Sequence, residues 1–160
     1  MLQEVIIEKR IVLAQQYLNS NYMEHLFNRL KNTVCVDCTE EHGHIIDVKK
    51  IVQILNHKID RTNSDIIFNI KFLATTFKPV AGKIIEGIVC MVYKDGIFIT
   101  IMDRQKMLIP SVLLKGYTFD EKLLSYSNGM ETIMMGNTIQ GKVTAIKYNK
   151  KNFSCFGSLV

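Results

Sequence analysis

Cys35, Cys38, His42 and His44 are the residues of this chain whose types and spacing come nearest to metal chemistry. Cys-x-x-Cys is a thiolate-pair spacing, but three residues and then His-x-His leave no loop to wrap a tetrahedron. On a β-strand, a three-residue offset also sends two thiols to opposite faces. These residues, with Cys90 and Cys155, therefore read as buried or half-buried reduced thiols and as ordinary histidines. His25 and His57 have no serine or cysteine partner in a nucleophile motif, and the chain has no P-loop, GxSxG or HExxH. Glu86, Asp95 and Asp103 read as solvated strand-end charges. No catalytic residue, metal or cofactor is expected.

The chemistry that remains is binding. Residues 77–101 read FKPVAGKIIEGIVCMVYKDGIFITI. Ile84, Ile88, Val89 and Val92 form a β-rich strand that bends at Gly87, and Lys94-Asp95-Gly96 is a turn. Ile97, Ile99 and Ile101 then alternate with Phe98 and Thr100, so one row faces a core and the other a ligand. A glycine-kinked strand, a DG turn and a strand with a lone aromatic are how a small nucleic-acid-binding OB barrel opens. Such barrels hold single strands in a basic groove with aromatic platforms, each stacked base contributing roughly 1–3 kcal/mol. Phe98, Tyr93, Lys94, Arg104, Lys106, Tyr148, Lys150 and Lys151 are the candidate RNA-facing residues; a plain solvated barrel rim is the other reading. Asp95 repels phosphate, so the expected binding of single-stranded RNA is weak, sequence-independent and salt-sensitive.

The barrel is completed by a short strand over 106–110, an irregular polar connection over 115–129, and a closing hairpin of 137–147 and 152–159. The first half reads differently. Residues 5–13 are a strand. Asn21 and Glu24 have capping-box spacing and precede a helix with the stripe Met23, Leu26, Phe27 and Leu30. Residues 33–39 and 45–55 read as strands bent at Gly43, and 65–76 as another. The polar stretch 56–65 (NHKIDRTNSD) makes the tip of a projecting hairpin, either solvated or docked into a partner. Docking would engage Ile54, Leu55, His57, Ile59 and Arg61 and remove roughly 800 Å2 of surface per partner. Pro79 lacks an N–H for a ladder and marks the seam between residues 1–78 and 79–160.

The 160 residues, 48% hydrophobic and 22% charged, have a folding composition, and the net charge of +5 allows a polyanionic partner without requiring one. No apolar run approaches the roughly 20 residues that span a bilayer. The opening MLQEVIIEKR has no signal-peptide core, so an intracellular protein without a membrane role is expected.

Four stretches together resemble the RNA polymerase stalk subunit family, which comprises the seventh subunit of eukaryotic RNA polymerase II and its archaeal counterpart. MLQEVIIEKRIVLAQQYLNSNYMEHLFNRLKNTV is similar to the family's first strand and helix, with Gln15 or Gln16 in place of its proline and Tyr17 keeping its aromatic. VCVDCTEEHGHIIDVKKI shares Cys38, Gly43 and Ile46 with the next family strand. TFKPVAGKIIEGIVCMVYKDGIFITI is similar to the junction between the family's halves, and GNTIQGKVTAIKYNKKNFSCFGSLV to its closing hairpin, ending in Phe156-Gly157-Ser158-Leu159. The resemblance implies an α+β N-terminal half of truncated ferredoxin-like type, followed by an all-β OB barrel of the S-one RNA-binding type. It further implies a non-catalytic subunit that docks on RNA polymerase core subunits through its tip and places the barrel near the exiting transcript. A small helical partner resembling the fourth polymerase subunit is also implied. So is a nuclear location for a cellular protein, or host cytoplasm and virion for a viral one. The lysine, asparagine and isoleucine bias and the divergent tip fit a viral or streamlined polymerase. Phe98 stands where the family stacks a base, while Asp95 and Ile109 replace a family aromatic and histidine. The alternative from another class is a free-standing single-stranded-RNA-binding module acting in translation or RNA decay.

Overall fold

The computed structural model describes residues 2–160, which divide into two compact units on either side of the Lys78–Pro79 bond. In the first, β1 (Leu2–Leu13) runs into a 3-10 turn at Gln15–Tyr17 and then α1 (Tyr22–Val34). β2 (Cys38–Thr39), β3 (Gly43–Ile59) and β4 (Ile66–Phe77) follow, and the antiparallel sheet has the order β1-β4-β3-β2.

α1 lays Leu26, Leu30 and Val34, spaced i, i+4, i+8, on Ile11 and Leu13 of β1, Ile45 and Val48 of β3, and Phe68, Ile70, Phe72 and Ala74 of β4. Burying each large side chain contributes roughly 1.5–3 kcal/mol, which outweighs the middling helix propensity of the sequence. Phe27 packs at the edge of this core, but Met23 is exposed, so the buried stripe is shifted one turn towards the C-terminus of the expected one. The capping box does not form. Asn21 makes no side-chain cap, and its own N–H donates to Asn19 Oδ1 at 2.9 Å. Of the expected strand over residues 33–39 only Cys38–Thr39 forms, as β2, since the helix runs to Val34 and Cys35 caps it through its N–H to Lys31 O. Lys9 Nζ donates to Asp37 Oδ2 at 3.0 Å and ties the helix exit to β1.

β3 departs furthest from a regular strand. Its pairing with β4 shifts register between Ile45 and Asp47, Val48 and Lys50, Ile51 and Gln53, and Ile54 and Asn56. Each bulge inserts one unpaired residue, so residues 44–59 run opposite only residues 66–77. The ladder extends to the Ile59–Ile66 pair. The expected ten-residue tip loop is therefore shorter, confined to residues 60–65.

The second unit is a closed barrel of β5 (Ile84–Tyr93), β6 (Gly96–Ile101), β7 (Gln105–Pro110), β11 (Thr138–Asn149) and β12 (Asn152–Leu159), in the order β11-β12-β7-β6-β5. Between β7 and β11 lies a small sheet of β8 (Thr118–Asp120), β9 (Ser125–Ser127) and β10 (Thr132–Ile133), where an irregular connection was expected. Ile97, Ile99 and Ile101 face the core with Val89, Val92, Met107, Ile109 and Val143. β5 carries apolar residues on both faces. Ile84 and Ile88 point outward, and a bulge at Cys90 resets the alternation so that Met91 and Tyr93 are the outward residues beyond it. At Gly87 a Cβ would come within 2.9 Å of Thr100 O, so the glycine permits the close approach of β6 while the bulge makes the bend.

Candidate nucleic-acid interface

Phe98 stands on the outer face of β6, opposite Met91 on β5 and Leu108 on β7. Leu108 in turn lies beside Phe156 on β12, through the parallel pairing that closes the barrel. Strand register thus lines Met91, Phe98, Leu108 and Phe156 up in one row across the outside of the barrel. Tyr93 meets Phe98 edge-on, with ring centroids 6.2 Å apart. The sequence reading did not include Phe156 among the RNA-facing residues. It is 40% exposed on a strand face otherwise lined by Asn152, Ser154 and Ser158. Its signal, an aromatic at an outward position of the last strand, becomes visible only when the alternation of β12 is anchored on buried Phe153 and Cys155.

The basic residues divide between the two ends of the barrel. Lys94 follows β5 in the β5–β6 turn, where the Tyr126 hydroxyl of β9 donates to Lys94 O at 2.9 Å and also to Tyr93 O. Burial, with Asp95 nearby, pushes the Tyr126 phenol above its ordinary pKa, so it keeps the proton it donates. At the other end stand Arg104, in the β6–β7 turn, and Lys150 and Lys151, in the β11–β12 turn. The parallel register of β7 and β12 brings these two turns side by side, and Gln105 Nε2 joins them by donating to Phe153 O at 2.8 Å. Lys106 is exposed on the outer face of β7. Tyr148 is half-buried, its ring 5.0 Å from that of Phe153. Ile109 is 0% exposed and belongs to the barrel core; the outward residue there is Leu108.

In the first unit the tip residues also separate. Ile54 packs against the core, whereas Leu55 is a bulge residue, 38% exposed, and Ile59 ends the strand at 60% exposed. His57 is exposed with its ring 6.2 Å from that of Phe68, and Arg61 lies in the loop. The loop is fastened by Asp60, whose Oδ1 accepts from the Thr62 N–H at 2.9 Å and from the Thr62 hydroxyl. Those bonds hold the Asp60 carboxyl below its ordinary pKa. A cavity of about 420 Å3 opens beside α1, lined by Tyr17, His25, Asn28, Arg29, Asn32 and Asp65 among others. Among the described residues no three of His, Cys, Asp and Glu gather as metal ligands would, and no helix is long and apolar enough to cross a membrane.

The family model of the S1 RNA binding domain matches residues 78–155. The chain is 23% identical over 158 residues to "DNA-directed RNA polymerase II subunit RPB7" of Glycine max, covering 97% of this chain and 90% of that one. Its counterpart in Saccharomyces cerevisiae is 22% identical over 93% of this chain and 90% of its own. "Uncharacterized protein 250L" of Invertebrate iridescent virus 6 is 24% identical over 98% and 96%. These matches run through both units. Along nearly its whole length the chain is similar to seventh subunits of RNA polymerase, and residues 78–155, which hold most of the barrel, match the S1 RNA binding domain.

Proposed function

We propose that this chain is the non-catalytic stalk subunit of a DNA-directed RNA polymerase. The first unit docks on the polymerase core through the β3–β4 tip, and the second holds the S1 barrel beside the emerging transcript for initiation and RNA contact. The observation that carries this reading is similarity to polymerase seventh subunits along 97% of the chain, across both units. A free-standing RNA-binding module would need the barrel alone, and the shared first unit counts against it. The first unit, with one helix on a four-stranded sheet, is read as a truncated ferredoxin-like domain.

Docking is assigned to Leu55, His57, Ile59 and Arg61, with Ile54 supporting them from the core. RNA contact is assigned to Phe98 with Tyr93, Lys94, Arg104, Lys106, Tyr148, Lys150 and Lys151, binding single strands weakly and in a salt-sensitive way. A small helical subunit is the expected second partner. The protein resides where its polymerase works: the nucleus in a cell, host cytoplasm and virion in a virus.

The docking assignment is tested by Leu55→Asp and Ile59→Asp together in the tagged full chain. Retained folding with loss of the polymerase large subunits from affinity capture supports it; undiminished capture refutes it.

A further inference from the structure

We infer that the barrel carries a second base-stacking platform, Phe156, with a cationic row beside it, so that bound single-stranded RNA continues across β12 to β11 instead of ending on β7. The inference rests on the reading that the barrel contacts RNA, and it specifies the path.

Register supplies the geometry. The first row is Phe98, Leu108, Phe156 and Ala145, each the pairing partner of the next. Neighbouring strands lie about 4.8 Å apart, which places Phe98 and Phe156 about 10 Å from each other across the barrel. Moving two residues along every strand towards the Arg104 end gives a parallel row on the same face: Thr100, Lys106, Ser154 and Lys147. Thr100 pairs with Lys106, and Ser154 with Lys147. Ser154 immediately precedes Cys155 and Lys106 immediately precedes Met107, and those two residues pair in parallel, so the row is continuous. The rows are about 7 Å apart along the strands.

The two rows differ in chemistry. The first is apolar with two aromatic rings; the second has two ammonium groups, two hydroxyls and no carboxylate. A single strand laid across the barrel with its bases on the first row carries its phosphates over the second. The Asp95 carboxylate belongs to the β5–β6 turn at the opposite end, whereas Glu86 and Asp103 flank Thr100, so the cationic part of the track is the stretch from Lys106 to Lys147. Phe156 has no core role to explain it: its strand neighbours Cys155 and Gly157 are buried, while Phe156 points outward. An exposed phenylalanine on a polar strand face, in register with the outward aromatic two strands away, suits the stacking of a base.

The test is fluorescence anisotropy of the full chain with 5′-fluorescein-labelled oligouridylate, at salt from about 50 to 200 mM, the range over which phosphate contacts lose affinity. Phe156→Ala is expected to weaken binding about five- to hundredfold, as loss of one stacked base does, without shifting the melting midpoint. Phe156→Leu, which keeps apolar area but has no ring, is expected to restore little of it. Lys147→Gln should reduce the log–log salt slope by about 0.7, the value for one phosphate contact on a single strand. If Phe98→Ala weakens binding while Phe156→Ala and Lys147→Gln do not, the track ends on β7 and the inference is wrong, with RNA contact itself intact. If the unaltered chain does not bind the oligouridylate, the RNA-contact reading falls and the inference falls with it.

Discussion

Met107 occupies the space that a side chain on Gly157 would need, since a Cβ at Gly157 would lie 2.5 Å from Met107 Sδ and 2.8 Å from Lys142 O. Gly141 faces the same methionine, its would-be Cβ 2.5 Å from Met107 Cε. The barrel is thus filled at its centre by one long flexible side chain seated on two glycines. Gly157→Ala is expected to destabilise the chain by about 1–3 kcal/mol through overpacking. Met107→Ala should cost about 2–5 kcal/mol through the cavity it leaves. The double variant should cost less than the sum of the two, because the shorter side chain makes room for the new methyl group. Denaturant unfolding of the three variants checks this; strict additivity would show that the two residues do not share the space.

Cys155 points into the barrel, and burial pushes its thiol up to about 11 from 9.0. The unfolded chain loses this proton near 9 while the folded chain keeps it to about 11. The unfolded state therefore binds fewer protons in that window, and stability falls as pH rises through it. Below the unfolded value both states are protonated and Cys155 contributes no slope. The Cys38 and Tyr126 shifts act in the same direction, so the diagnostic is the difference made by Cys155→Val. The melting midpoint of the unaltered chain should be level between about pH 7 and 8.5 and then decline. The decline should be shallower in Cys155→Val by at most about 2–3 kcal/mol. Identical profiles would remove Cys155 as a cause.

Gln105 is buried where the barrel closes, and its Nε2 donates to Lys106 O at 2.7 Å and Phe153 O at 2.8 Å. The parallel β7–β12 ladder has only two residue pairs, Cys155 with Met107 and Phe156 with Leu108, so this side chain reinforces a short seam. Gln105→Leu leaves two carbonyls without that donor and is expected to cost about 1–3 kcal/mol. Amide exchange should quicken first in the β12 segment around Phe153. Uniform quickening across both units would argue against a local seam.

The β-alternation of Ile97, Ile99 and Ile101, the seam at Pro79 and the closing hairpin were legible in the sequence because each rests on local chemistry: a period of two, a missing N–H, a polar turn between two strands. β3 was not. Its inward residues Ile45, Val48, Ile51 and Ile54 recur every third position because a bulge follows each, and period three belongs to neither a helix nor a flat strand. Asn56, His57 and Lys58 make the segment that ends at Ile59 read as loop, although the ladder to β4 carries it as strand. Phe98 was recognisable from its place after the DG turn. Phe156 was not, since its position in the row depends on a parallel pairing between strands some fifty residues apart. Ile109 misled for the same reason: one step of register separates a core isoleucine from the outward Leu108.

Lys150 and Lys151 both hold positive φ, 50° and 60°, in the β11–β12 turn, where asparagine and glycine would be easier. The turn thus carries two cations in a backbone conformation that disfavours them. Lys150→Asn with Lys151→Gly is expected to stabilise the chain by about 0.5–1 kcal/mol. The same pair of changes should weaken RNA binding and lower its salt dependence. Thermal melts and anisotropy on one preparation read both effects. A stabilised variant with unchanged RNA affinity would mean that the turn lysines are only solvated charges.

A stalk role requires the chain to be a stable member of a polymerase complex. The most direct measurement is affinity capture of the tagged full chain from its native source, with and without ribonuclease treatment, followed by mass spectrometry. Recovery of the two large polymerase subunits in amounts comparable to the bait, unchanged by ribonuclease, is the predicted result. Recovery of RNA-bound proteins that vanish with ribonuclease, and no polymerase subunits, would contradict the account and leave a free-standing RNA-binding barrel in its place.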